Sequence, residues 1–159
     1  VAHLSTPGPD RGTEFEKPRG ISLVDVRDGF ARVVVEGLSE PVADSRLAAL
    51  EAVAAAGLNI DFLKLTPHGL AFLVAEADAE KTRSALARFD PVMQTPLSVV
   101  LVHAVNMRDE EGLMARALAS AVESGAPIEH VSDMHDRLLI VTDQRSARAL
   151  CERLAETAR

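Results

Sequence analysis

Residues 54–65 read AAAGLNIDFLKL: an alanine-rich helix end, a glycine, then an apolar strand with an acid near its start. Residues 122–134, VESGAPIEHVSDM, have the same shape. Gly57 and Gly125 are 68 positions apart, as are Ile60 and Ile128, and the acids Asp61 and Glu129. At the same offset of 68, Leu50 falls on Leu118, Phe72 on Ile140 and Leu86 on Leu154. The register is expected to run without a gap from Ala31 to Phe89. A period this long marks a duplicated domain and not a solenoid unit.

Working outward, each copy reads strand, helix, strand, strand, helix. Residues 21–27 (ISLVDVR) predict a strand, Asp28-Gly29 a hairpin turn, and residues 31–38 a second strand. The loop 39–45 (SEPVADS) follows, with Ser39 or Asp44 as helix cap. The helix after it places Leu47, Leu50 and Ala54 on one face and ends at Gly57. A strand, the turn Pro67-His68-Gly69, a returning strand and a second helix capped by Asp78 complete the copy. Residues 92–94 are a brief strand candidate, after which residues 98–159 repeat the order. The pattern is the split βαβ, ferredoxin-like one: an α+β fold of two βαββαβ units with helices on one face of antiparallel sheets. The second copy ends on its helix and lacks a closing strand, while residues 21–27 stand unused before the first. Bare sheet edges leave backbone groups unpaired. The leading strand is therefore expected to complete the second sheet, with residues 92–94 closing the first. The divisions are a tail over 1–19, a first unit over 20–95 and a second over 96–159.

Apolar residues make up 47% of the 159 positions, enough for a packed core. With no Trp or Tyr and five Phe, that core must be aliphatic. A formal charge of −7 argues against nucleic acid or an anionic membrane as partner. The single Cys151 excludes an intrachain disulfide and suits a reducing cytoplasm. No apolar run reaches membrane-spanning length and no signal peptide is visible. The chain begins at Val1 rather than Met, which leaves a longer parent protein open.

Little conventional chemistry is legible. RNA-binding versions of this fold stack bases on sheet aromatics, which are scarce here. Metal-carrying versions need a second cysteine. His130, Asp133, His135 and Asp136 invite a zinc reading but lack ligand spacing, and read as a solvated hairpin end. No glycine-rich phosphate loop or activated nucleophile is present, so neither catalysis nor a cofactor is expected. Asp61 and Glu129, each alone in its strand, read as strand-start acids. What remains is the strand-to-helix loop of each unit. Helix N-termini offer N–H groups to a carboxylate, and a neighbouring sheet edge offers carbonyls and acids to an ammonium group. Together they suit a free amino acid.

These residues resemble a known family. GLNIDFLKL (57–65) resembles the strand of the first ACT domain of aspartokinases. NMRDEEG (106–112) and GAPIEHVSD (125–133) resemble the loop and Ser-bearing strand of their second. Residues 20–38 resemble the stretch leading into the pair, and residues 3–13 the segment closing the kinase domain. The resemblance implies a tandem ACT regulatory region that binds lysine, threonine or a related amino acid and forms a homodimer. A kinase catalytic domain or subunit is a further implied partner. The effector residues it implies are Glu40, Asp44, Asn59, Ile60 and Asp61 in the first unit. In the second they are Arg108, Asp109, Gly112, Ile128, Glu129 and Ser132. The sequence departs from the pattern at Val42-Ala43, where the family carries Pro-Gly, at Leu65 in place of Gln, and at Pro127 in place of Asn. A second reading follows from those departures: a dimerisation module of the same fold whose ligand site has degenerated.

Overall fold

The computed structural model describes residues 20–104, 107, 110–134 and 136–157. The expected tail over 1–19 lies outside them. The chain order is β1 (Ile21–Val35), α1 (Val42–Ala55), β2 (Asp61–Thr66), β3 (Gly69–Ala75), α2 (Ala79–Ala85), β4 (Val92–Ala104), α3 (Leu113–Glu123), β5 (His130–Asp133), β6 (Arg137–Asp143) and α4 (Ala147–Thr157). Short 3₁₀ turns flank α2.

All strands join one six-stranded antiparallel sheet in the order β2-β3-β1-β4-β6-β5, not the separate sheets the repeat suggested. Two long strands run through both halves. The expected hairpin at Asp28-Gly29 is absent, and β1 continues straight through it. A two-residue hairpin turn of that type needs positive φ at both positions. Here Gly29 alone is positive, at +84°, and the register with β4 slips between Asp28 and Phe30. This is a one-residue bulge. A second slip, between Phe30 and Arg32, restores the register across Thr95-Pro96 of β4. The first part of β1 pairs only with β4, from Ile21 opposite Ala104 to Asp28 opposite Ser98. Its second part pairs with β3 on one side and with Val92, Met93 and Gln94 on the other.

The bulge decides which side chains face the helices. Before it, Val24 and Val26 pack against the core shared with α3 and α4. After it, Ala31, Val33 and Val35 pack against α1 and α2. A strand alternates faces with period two, so one extra residue switches the set from even to odd while keeping it on one side. The repeat carries the same lesson. Ala49 and Ala117, Leu70 and Leu138, and Leu86 and Leu154 are buried alike at the offset of 68. The first strands are one residue out. Val33 pairs with Phe72, but Ile140 pairs with Val100, which is 67 positions from Val33. The gapless register expected from Ala31 therefore holds only from α1 onward.

Three apolar clusters form. The first joins Val33, Val35, Leu70, Phe72 and Leu86 with Ala49 and Val53 of α1. The expected Leu47-Leu50-Ala54 face is rotated: Leu47 is 56% exposed, lying about 200° round the helix from Ala49. The small Ala49 lets α1 sit close to the sheet. The helix start also differs from expectation. The N-cap position falls on Pro41, which has no side-chain cap, and not on Ser39 or Asp44; Glu40 just before it accepts the Val42 N–H at 3.1 Å. Asp78 stands before α2 without a side-chain capping bond; its carbonyl accepts the Thr82 hydroxyl instead. The second cluster joins Val100, Val102, Leu138 and Ile140 with Leu113, Ala117, Leu150 and Leu154 of α3 and α4. The third lies on the opposite face: Leu73, Leu97, Val99, Leu101, Leu139 and Val141, with Phe30 and Phe62 against it. No helix covers it. The sheet curls so that its edge strands β2 and β5 approach, and Phe62 and His130 line one small cavity. No described helix is long and apolar enough to cross a membrane.

Candidate functional site

The first-unit residues fall at the two ends of α1: Glu40 and Asp44 at its start, and Asn59, Ile60 and Asp61 after its end, at the far end of β2 from the Thr66–Gly69 turn. Glu40 accepts the Val42 N–H, and Asp44 is exposed in the first turn. Asp44 lines an open cleft of about 530 Å³ with Glu36, Ser39, Arg88 and Asp90. Asn59 is exposed, Ile60 packs into the first core, and Asp61 opens the edge strand β2 opposite Leu73. Leu65, in the position where the family pattern has Gln, is 56% exposed. One residue of this region was missed. Arg46 donates to the carbonyls of Gly69, Thr66 and Pro67, pinning the β2–β3 turn to α1. A lone arginine inside a helix carries no spacing signal for such a role. Glu36 adds a bond from the Thr66 hydroxyl at 2.9 Å.

In the second unit, Arg108 and Asp109 lie outside the described residues. Gly112 stands at the N-cap of α3 with φ +75°, a left-handed conformation that a side chain strains. A methyl group there would also meet Arg116 Nη1 at 3.2 Å. Arg116 pairs with Glu110 at 3.2 Å, and Glu110 accepts the Gly20 N–H at 2.7 Å. Glu110 so fastens the head of β1 to the approach to α3. Ile128 packs on the second core, and Ser132 sits in β5 opposite Leu139. Glu129 does not face solvent as a lone strand-start acid would. It is half-buried, accepting from Gln94 Nε2 at 3.1 Å, with Arg32 Nη1 at 3.7 Å. The described candidates are not gathered within the chain: Glu40, Asp44 and Gly112 stand at helix starts, while Asp61 and Glu129 stand at the strand starts that follow those helices.

Of the zinc candidates, His135 lies outside the described residues. Among those described, no three His, Cys, Asp or Glu side chains converge as a metal site would require. Burial, with Lys64 and Arg32 nearby, pushes the His130 pKa below its ordinary value. Burial likewise raises the Cys151 thiol, which points at the Val24 carbonyl 3.7 Å away. That is the environment of an inert cysteine.

The fold matches aspartate kinase regulatory proteins. The regulatory subunit from Thermus flavus superposes with a TM-score of 0.77 at 16% identity, over 89% of this chain and 100% of that one. The ligand-free subunit from Thermus thermophilus gives 0.77 at 17%, over 89% and 99%. Aspartokinase III of E. coli, solved with lysine and aspartate, gives 0.69 at 12%, over 90% of this chain and 34% of that one. No family model matches the sequence, and no curated protein matches it significantly. The chain has the α+β architecture of aspartate kinase regulatory subunits, all but whole.

Proposed function

We propose that the protein is a non-catalytic regulatory module of the tandem ACT kind, sensing an aspartate-family amino acid such as lysine or threonine and working as a homodimer. The observation that carries this is the double use of the long strands. Read with β1 and β4 each divided at the bulge, the six strands supply two four-stranded sets. The first runs 31–35, α1, β2, β3, α2, 92–94. The second runs 97–104, α3, β5, β6, α4, and closes with residues 21–27. On this reading each set is a βαββαβ unit, and the proposed units are 20–95 and 96–159, with the leading strand 21–27 lent to the second. The lysine complex of the structurally similar E. coli enzyme supports the ligand class. An aspartate kinase catalytic domain or subunit is the natural recipient of the signal.

By the resemblance, the effector residues would be Glu40, Asp44, Asn59, Ile60 and Asp61 in the first unit and Arg108, Asp109, Gly112, Ile128, Glu129 and Ser132 in the second, with sites forming where the first unit of one chain meets the second of its partner. Ala43 and Leu65 weaken the first, so the second unit should dominate and binding should be modest. The structural-module reading is favoured by one observation: the Glu129 carboxylate is already held by Gln94 and Arg32. Thermal shift against the twenty amino acids, with mass from light scattering, separates the two. A dimer stabilised by one amino acid supports sensing; a dimer indifferent to all supports a structural role; a monomer at tens of micromolar removes both. Titration calorimetry then ranks the sites. Losing one bond to a charged ligand costs about 1.5–3 kcal/mol, so Ser132→Ala should weaken binding roughly tenfold or more. Binding abolished by Asp61→Ala and untouched by Ser132→Ala would reverse the ranking.

A further inference from the structure

The two edges of the sheet meet through an uneven pair of residues. Phe62 of β2 and His130 of β5 are 68 positions apart, the same place in each copy, and they line one cavity with Arg32, Ala71, Phe72 and Leu73. We infer that this junction is a pH-sensitive latch, closed while His130 is neutral and loosened when its imidazole is protonated. The inference is independent of any amino-acid effector.

The geometry supplies the means. The cavity is about 10 Å³, room for one water at most. His130 is half-buried, so a charge arriving on the imidazole would lose part of its solvent there. It would also find the wrong neighbours. From β1 comes Arg32 and from β2 Lys64, both cations acting on His130. β3 offers only apolar side chains, and the cross-strand partner on β6 is Val141. Three carboxylates stand on or beside the two edge strands. Glu129 is engaged by Gln94 and Arg32, Asp61 is exposed at the head of β2, and Asp133 is exposed farther along β5. Phe62 itself is held at φ +53°, a strained conformation for an aromatic residue, where the β2–β3 register slips between Asp61 and Lys64. Behind the latch lies the core of Leu73, Leu97, Val99, Leu101, Leu139 and Val141, which no described helix covers. Loosening the β2–β5 contact uncovers that surface.

The sign follows from linkage. Burial first, then Lys64 and Arg32, hold His130 below its ordinary 6.5 in the closed state. The open state binds the proton more readily, so closure is favoured in full above about 6.5 and is lost as pH falls through the lowered value. The test uses the full chain without ligand between pH 8 and pH 5. The His130 ring resonance, assigned by triple-resonance spectra, should titrate below 6.5. Binding of an apolar dye, corrected for its own pH response, should rise several-fold over the same interval. His130→Phe, which copies Phe62, and His130→Gln, which cannot titrate, should each abolish that rise. A ring that titrates at or above 6.5 in the wild type overturns the latch, whatever the variants do. So does a dye response that survives in His130→Phe.

Discussion

Thr142 occupies in the second copy the place of Val74 in the first, and both are fully buried. The exchange of a methyl for a hydroxyl leaves the Thr142 Oγ1 without a hydrogen-bond partner among the described residues. Its cross-strand neighbour Ser98 donates instead to Asp28. A buried hydroxyl with no partner destabilises by roughly 1–3 kcal/mol, and valine has nearly the same shape. Thr142→Val should therefore stabilise the protein by about 1 kcal/mol. Urea unfolding should show a higher midpoint with an unchanged slope, and a midpoint at or below the wild type would mean that the hydroxyl is satisfied. At this scale the sequence is legible only where a residue type has one reason to be there. Gly112 stood out as the glycine of the 106–112 loop, and its φ of +75° gives a reason for glycine there. Arg46 and Arg32 did not, because their partners are carbonyls and side chains brought near by the fold.

At the scale of elements, the Asp28-Gly29 pair shows why local signals mislead. A hairpin and a bulge both use a glycine with positive φ, so the dipeptide alone cannot separate them. The choice is made by strands far along the chain: β3 and β4 offer apolar partners on either side of β1, and a hairpin would forfeit them. The α1 face was displaced for a similar reason, since its alternatives were mostly alanines and the sheet's shape selected among them. The bulge yields a paired prediction. A methyl group at Gly29 meets nothing within 4 Å, so Gly29→Ala carries only the strain of φ +84°. That is about 1–2 kcal/mol, read from chemical denaturation. Deleting Gly29 is different in kind. It would turn Ala31, Val33 and Val35 away from α1 and α2, and the purified variant should lack cooperative unfolding by circular dichroism. A deletion variant as stable as Gly29→Ala would show that the bulge does not set the face.

For the whole molecule, the duplication and the missing closing strand were visible in the sequence because a repeat can be compared with itself. The curl that buries a third core was not, since it depends on β2 and β5, at opposite ends of the strand order, meeting through Phe62, Arg32, Glu129 and His130. The shared strands carry a consequence for folding. Residues 96–159 keep α3, α4, β5, β6 and most of β4, yet lose Val24 and Val26, which pack on their core. They also lose the strand from Ile21 to Asp28 that pairs along β4. Val99 and Leu101, on the other face of β4, lose Leu73 and Phe62 as cover. Burying an apolar side chain contributes about 1.5–3 kcal/mol, and a domain's net stability is about 5–15 kcal/mol, so losing this set removes most of it. The fragment 96–159 should therefore show poor amide dispersion by NMR and no cooperative thermal transition. Adding the separate fragment 1–95 should restore both, because each piece holds the strand that the other lacks. Native-like dispersion from 96–159 alone would establish that the halves are independent domains and that the exchange of strands is dispensable.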